Sequence, residues 1–208
     1  MTPDAARILA VLPQTQCTRC GYADCAAYAC AIAEAKAPIN QCPPGGQQGI
    51  YRLAQLTGQS PLPLNPHNGQ EGPRSVAVVD EDWCIGCTHC IDVCPVDAIV
   101  GASKRMHTVL EAYCTGCELC LPVCPVDCIV LENVSGEETG WNAWGSSLAR
   151  QAKDRYAARQ QRLNNKSSQA SASAANRPRS PQAQSAKDPK KAMIDAAVSR
   201  ARARQSGR

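Results

Sequence analysis

Cysteines at 84, 87, 90 and 94, followed by Pro95, recur thirty residues later at 114, 117, 120 and 124, followed by Pro125. Thiolates are soft ligands for zinc or iron. Three of them three residues apart can each face one iron of a cube, while the fourth ligand must come from elsewhere in the chain. The run C-x2-C-x2-C-x3-C-P is that of two-cluster 4Fe–4S proteins, where the last cysteine of each run serves the other cluster. This spacing assigns Cys84, Cys87, Cys90 and Cys124 to one cluster and Cys114, Cys117, Cys120 and Cys94 to a second. A zinc ribbon would instead pair C-x2-C knuckles around one tetrahedral ion, so the run favours iron. A third set, Cys17, Cys20, Cys25 and Cys42, has the spacing C-x2-C-x4-C with the last member again before a proline. A third 4Fe–4S cluster is the reading. Four cysteines of any spacing can also close a zinc tetrahedron, so the alternative is a two-cluster ferredoxin carrying an N-terminal zinc-binding, partner-docking module.

Positioning these thiolates requires two modules. Residues 84–100 and 114–130 are identical at 11 of 17 positions, an internal duplication that makes one pseudo-twofold domain. Val76–Val79 reads as the strand that opens it, and the domain ends near Val134. Gly86 and Gly116 leave room for backbone to wrap a cluster with N–H groups aimed at sulfur. Pro95 and Pro125 fix the chain direction beyond the crossing ligand. Upstream, the Ala-based stretch Asp24–Glu34 predicts a helix that Pro38 bars from continuing, and a second helix around Ile50–Leu56 ends at Gly58. The fold class expected is α+β: a small helical iron–sulfur domain over 1–58, a Pro-rich linker over 59–75, and a bacterial-type two-cluster ferredoxin fold over 76–134. A basic amphipathic helix over 135–165 and a low-complexity basic tail over 166–208 complete the chain, with a short helix expected at Lys190–Arg204.

Composition supports a metal-stapled protein. Fourteen Cys, no Phe and only 3 Trp leave little large apolar side chain for a core, so cross-links must supply what burial does not. No secretory signal is visible, and in a reducing compartment disulfides are disfavoured. No apolar run is long enough to span a bilayer. Residues 1–140 carry 7 basic and 15 acidic side chains, and residues 141–208 carry 15 and 3. No Gly-rich nucleotide fingerprint or nucleophilic triad occurs, so electron relay rather than substrate conversion is expected, with no catalytic site of the chain's own.

The stretch LPQTQCTRCGYADCAAYACAIAEAKAPINQCPPGG, residues 12–46, resembles the iron–sulfur domain of the B subunit of the Rnf electron transport complex. The double run through Val130, joined by GASKRMHTVLEAYCTGCELC, resembles the ferredoxin domain of the same family. The resemblance implies that Cys17, Cys20, Cys25 and Cys42 hold the first domain's cluster, giving three 4Fe–4S clusters in all. It also implies a cytoplasmic or peripheral position at the cytoplasmic face of the inner membrane. The redox partners implied are ferredoxin, flavodoxin or other subunits of such a complex, a redox-driven ion translocase. This chain reads as a short form without the family's hydrophobic N-terminal anchor.

The remaining chemistry-bearing residues receive plainer roles. Cys30 and Cys128, outside the ligand pattern, are expected as small buried side chains. His89 and His107 are expected at the surface or in packing. Trp141, Trp144, Leu148, Ala152, Tyr156 and Leu163 recur at helical spacing among Arg150, Lys153, Arg155, Arg159 and Arg162. Such a helix either lies on an anionic membrane or packs its aromatics on the ferredoxin module. The basic tail suggests peripheral membrane contact, and no nucleic-acid partner is expected because no reading element accompanies the charge.

Overall fold

The computed structural model describes residues 4–175 together with 193 and 194, so all but those two residues of the Lys190–Arg204 segment lie outside the described residues. The chain divides at Asn164 into two units, the first of which holds both cysteine-bearing modules. Helix and strand are mixed. No helix among the described residues is long and apolar enough to cross a membrane.

Helix α1, Ala5–Ala10, packs against α2, Cys25–Ala33. Asp24 starts α2 as its N-cap, its carboxylate accepting the Ala27 N–H at 2.7 Å. Helix α3, Gly46–Thr57, ends at Gly58, where φ of 71° and an N–H bonded to Ala54 O make the left-handed cap expected there. Ile8, Leu12, Tyr28, Ile32, Ile39, Ile50 and Leu53 form the core among these helices. At about 1.5–3 kcal/mol per fully buried large side chain, so few residues make a thin core.

Tyr28 ties that core to the loop that returns to Cys42. Its hydroxyl donates to Pro38 O at 2.8 Å and accepts the Gln41 N–H at 3.1 Å. Tyr28→Phe orphans both backbone groups and should cost about 1–3 kcal/mol, read as a lower thermal midpoint with the aromatic packing retained.

The stretch 59–75 is pinned rather than loose. Asn40 donates to Pro63 O, Asn68 donates to Arg19 O, and Glu71 accepts from both Gln47 N and the Thr139 hydroxyl, at 2.7–2.9 Å.

Strand β1, Ser75–Val79, pairs antiparallel with β4, Ile129–Asn133, placing Ala77 opposite Leu131. Between them lie α4, His89–Val93, and the short antiparallel pair β2, Ile99–Val100, and β3, Thr108–Val109. The duplication is visible in the backbone: φ is 67° at both Gly86 and Gly116, 69° and 65° at Thr88 and Glu118, and 51° and 50° at Asp97 and Asp127. One difference has a covalent cause. The Asp92 N–H bonds Thr88 O in α4, but Pro122 occupies the matching position and has no N–H, so the second copy makes turns there instead of a helix.

Helices α5, Gly140–Ala143, and α6, Ser146–Ala175, follow. The helical residues thus begin at 140 rather than 135, break at Trp144–Gly145, and run past 165. Their aromatic face turns inward. Trp141 and Trp144 are buried with the β1 and β4 residues, and the Trp144 indole N–H donates to Pro13 O at 2.7 Å. Tyr156 donates to Asp24 at 2.9 Å, while Arg159 and Arg162 clasp Asp97 at 2.8–2.9 Å and Arg159 also bonds Asp92 O. Leu163 stays 40% exposed. The aromatics and three of the arginines are thereby engaged by the modules themselves, Arg155 lying over the Tyr113 ring.

Candidate metal centres

The duplicated fold gathers its cysteines in crossed sets. Cys84, Cys87, Cys90 and Cys124 line one cavity, with Val79, Val126, Cys128 and His107 also in its wall. Cys94, Cys114, Cys117 and Cys120 line a second, with Ala77, Ala98, Ile99 and Leu131. The fourth thiol of each cavity belongs to the other run, because Cys94 and Cys124 lie beyond the turn where each copy heads back across the domain.

Backbone donors aim at these sulfurs in symmetric pairs. The Ala77 N–H points at Cys114 Sγ at 3.5 Å, and its repeat mate, the His107 N–H, points at Cys84 Sγ at 3.4 Å. The Ala98 N–H reaches Cys94 Sγ at 3.2 Å. A Cβ on Gly86 would overlap the Arg105 backbone, and one on Gly116 would stand 2.5 Å from Ser75 O. Both glycines are therefore required by close approach and by positive φ. Gly116→Ala adds about 1–2 kcal/mol of left-handed strain to that overlap. Its expected outcome is loss of metal from the Cys114 cavity, checked by metal content.

The N-terminal set converges through three elements. Cys17 and Cys20 lie on the loop before α2, Cys25 opens that helix, and Cys42 precedes a short 3-10 turn at Pro43–Gly45. Gln16 Oε1 accepts the Cys25 N–H at 3.0 Å. Burial is the main cause raising three of these thiols: Cys20 upward, Cys25 to about 12, and Cys42 well above the ordinary thiol range. Cys42 is raised further by Cys25, Cys17 and Cys20, so the four sulfurs lie within electrostatic reach of one another. A Cβ on Gly45 would sit 3.5 Å from Cys42 Sγ, so the chain is drawn close against that sulfur. Burial likewise pushes Cys117 to about 11 and Cys120 to about 12. Thiols raised in this way stay protonated at neutral pH unless a metal takes the proton's place, so metal uptake must release protons.

Donor chemistry and space both suit clusters. One cavity offers the thiols of Cys94, Cys114, Cys117 and Cys120, the other those of Cys84, Cys87, Cys90 and Cys124 with Cys128 beside them, and the remaining walls are mostly apolar. Among the described residues no three His, Cys, Asp or Glu side chains gather as around a single ion.

The two modules meet beside their sulfurs. Thr115, next to Cys114, donates its hydroxyl to Thr15 O at 2.9 Å, two residues from Cys17. Arg19 pairs with Glu118 at 2.5 Å. Burial works to lower the Arg19 guanidinium, but Glu118 and the Cys17 and Cys117 sulfurs outweigh it and raise it. Arg74 donates to Cys114 O at 2.8 Å and lies over the Trp144 ring; burial lowers its pKa.

Several residues here escape a sequence reading. Gln14, Thr15 and Gln16 are buried polar residues without any pattern to mark them. His107, expected at the surface or in packing, is 1% exposed and lines the Cys84 cavity, whereas His89 is exposed. Cys128 is buried as expected. Cys30 is not: α2 turns Cys25, Tyr28, Ala29 and Ile32 inward, which leaves Cys30 on the opposite, solvent face.

Comparison with known proteins bears on the same two regions. Residues 77–131 match the 4Fe-4S dicluster domain family and residues 12–44 a putative Fe-S cluster family, and the twelve cysteines above all fall within these spans. The B subunit of the ion-translocating oxidoreductase complex of Azoarcus sp. is 57% identical over 105 residues, covering 50% of this chain and 57% of that protein. Its namesake from Thiobacillus denitrificans is 56% identical, covering 52% and 57%, and that of Alkalilimnicola ehrlichii 58% identical, covering 52% and 59%. The matches thus span somewhat over half the length of these curated relatives. The resemblance to the Rnf family, read from residues 12–46 and the double cysteine run, is borne out over the matched regions.

Proposed function

We propose, on the premise that the chain carries both iron–sulfur modules of the B subunit of an ion-translocating oxidoreductase complex, that it is an electron carrier holding three 4Fe–4S clusters. The observation that carries the reading is the crossed gathering of thiols, Cys84, Cys87, Cys90 and Cys124 about one cavity and Cys94, Cys114, Cys117 and Cys120 about the other. Cys17, Cys20, Cys25 and Cys42 hold the third cluster. A 4Fe–4S cluster supplies a one-electron couple whose potential depends on hydrogen bonds to sulfur and on solvent access. The chain's own contribution is to hold the ligands, aim the Ala77, Ala98 and His107 N–H groups at them, and exclude water with apolar walls.

The path between modules follows from the Thr15–Thr115 hydrogen bond and from Arg19 between Cys17 and Cys117. A cluster held by Cys17, Cys20, Cys25 and Cys42 would stand across this contact from one held by Cys94, Cys114, Cys117 and Cys120, with the Cys84 set beyond it, and each would supply a one-electron couple when bound. The partners proposed are redox proteins of the ferredoxin or flavodoxin kind or other subunits of the complex, met at the cytoplasmic face of the inner membrane. Contact of the basic tail with anionic lipid belongs to the same proposal. Stopped-flow mixing of the anaerobically reduced full chain with a one-electron acceptor tests it. The iron–sulfur absorbance should bleach on reduction and return fully on oxidation over repeated cycles. A chain that takes up no electrons, or returns none, refutes it.

A further inference from the structure

Two of the side chains that differ between the halves stand at one cavity. His107 occupies the position that Ala77 fills in the other half, and Cys128 the position of Ala98. The His107 imidazole is 1% exposed, with Nδ1 3.3 Å from Cys90 Sγ. A thiolate ligand can only accept, so Nδ1 donates in this contact, and the buried Nε2 has no partner among the described residues. Cys128 Sγ lies 3.5 Å from Cys124 Sγ. Neither contact has a counterpart in the other cavity, where the matching side chains are methyl groups.

Space for the imidazole is built in. Gly101, with φ of 153°, lies under the ring, and a Cβ there would overlap His107 Cδ2. In the other half Ala77 stands opposite Leu131, the repeat mate of Gly101. Large and small residues have therefore changed places between the halves, His107 over Gly101 against Leu131 over Ala77. The backbone donors remain equivalent, so the asymmetry resides in the side chains. Thr115, which replaces Ile85, also stands within hydrogen-bond reach of Cys117, but it shares its single hydroxyl proton with Thr15 O at 2.9 Å.

Resting on the three-cluster reading above, we infer that His107 and Cys128 raise the reduction potential of the cluster held by Cys84, Cys87, Cys90 and Cys124 through added hydrogen bonds to Cys90 and Cys124. One-electron reduction places another negative charge on the cluster and its thiolates. Donors to those sulfurs stabilise the reduced state more than the oxidised one. The two halves of a nearly symmetric domain thereby become electrically distinct, and His107 acts as a positioning residue for charge rather than as a ligand.

EPR-monitored potentiometric titration of the full anaerobic chain, with iron counted first, provides the test. His107→Ala and Cys128→Ala each copy the residue of the other half. Each should lower the reduction equilibrium of one cluster, the same one in both variants, by about tenfold, about 59 mV for one electron. The other two clusters should titrate as in the parent, and His107→Gln, which keeps an N–H donor, should recover part of the shift. Full iron with unmoved potentials, or shifts in two different clusters, overturns the inference while leaving the three-cluster reading intact. An iron count short of three clusters in the parent overturns that reading instead. Should His107→Ala lose iron, Cys128→Ala decides alone, since thiol to methyl is a small change that the other half already tolerates.

Discussion

Serine in place of Cys42 leaves the chain with about eight iron atoms and eight sulfides in place of about twelve of each. Cys42 is the remote member of its set and reaches Cys17, Cys20 and Cys25 only because Tyr28 pins the loop at Pro38 and Gln41. A serine oxygen is a harder and poorer ligand for this site than thiolate. The loss should stay local, because the helices around Tyr28 and the strands around the other cavities have separate cores. The N-terminal module should also become protease-sensitive, since a small core that loses its metal loses folding energy with it. Unchanged iron in this variant, with zinc lost, would instead establish the zinc-module alternative. Elemental analysis of the anaerobic protein separates the two.

A pair of double variants exposes the crossed ligation. Cys94→Ser combined with Cys117→Ser strikes one cavity twice and should remove one cluster, leaving about eight iron atoms. Cys94→Ser combined with Cys87→Ser strikes two cavities and should leave about four. If each run instead held its own cluster, Cys94 would belong with Cys87 and the two results would be exchanged. Ligands of one site act as a unit, so the non-additivity of the first pair is the signal. The expectation follows from Cys94 lining the cavity of Cys114, Cys117 and Cys120.

The cysteine spacing points to such a crossing because ligand geometry is nearly local: a cube needs three near thiolates and one far. The caps at Asp24 and Gly58 were equally readable, since a side-chain acceptor and a glycine in the left-handed region act within one turn. What the sequence did not disclose depends on where distant segments come to rest. Nothing about His107 shows that its ring will occupy the space over Gly101, and nothing about Trp144 shows that its indole will find Pro13 O. The choice between a membrane and a protein surface for the aromatics at 141, 144 and 156 was undetermined for the same reason. Periodicity says that a face is apolar and not what covers it. Cys30 was misjudged because composition alone cannot tell which face of α2 looks outward.

Native mass spectrometry of the full chain, purified and sprayed without oxygen, weighs the bound inorganic content in one step. Three filled cysteine sets predict a dominant species heavier than the polypeptide by three intact 4Fe–4S clusters, about twelve iron and twelve sulfide. A dominant species carrying two clusters, with or without a zinc ion, would contradict that loading.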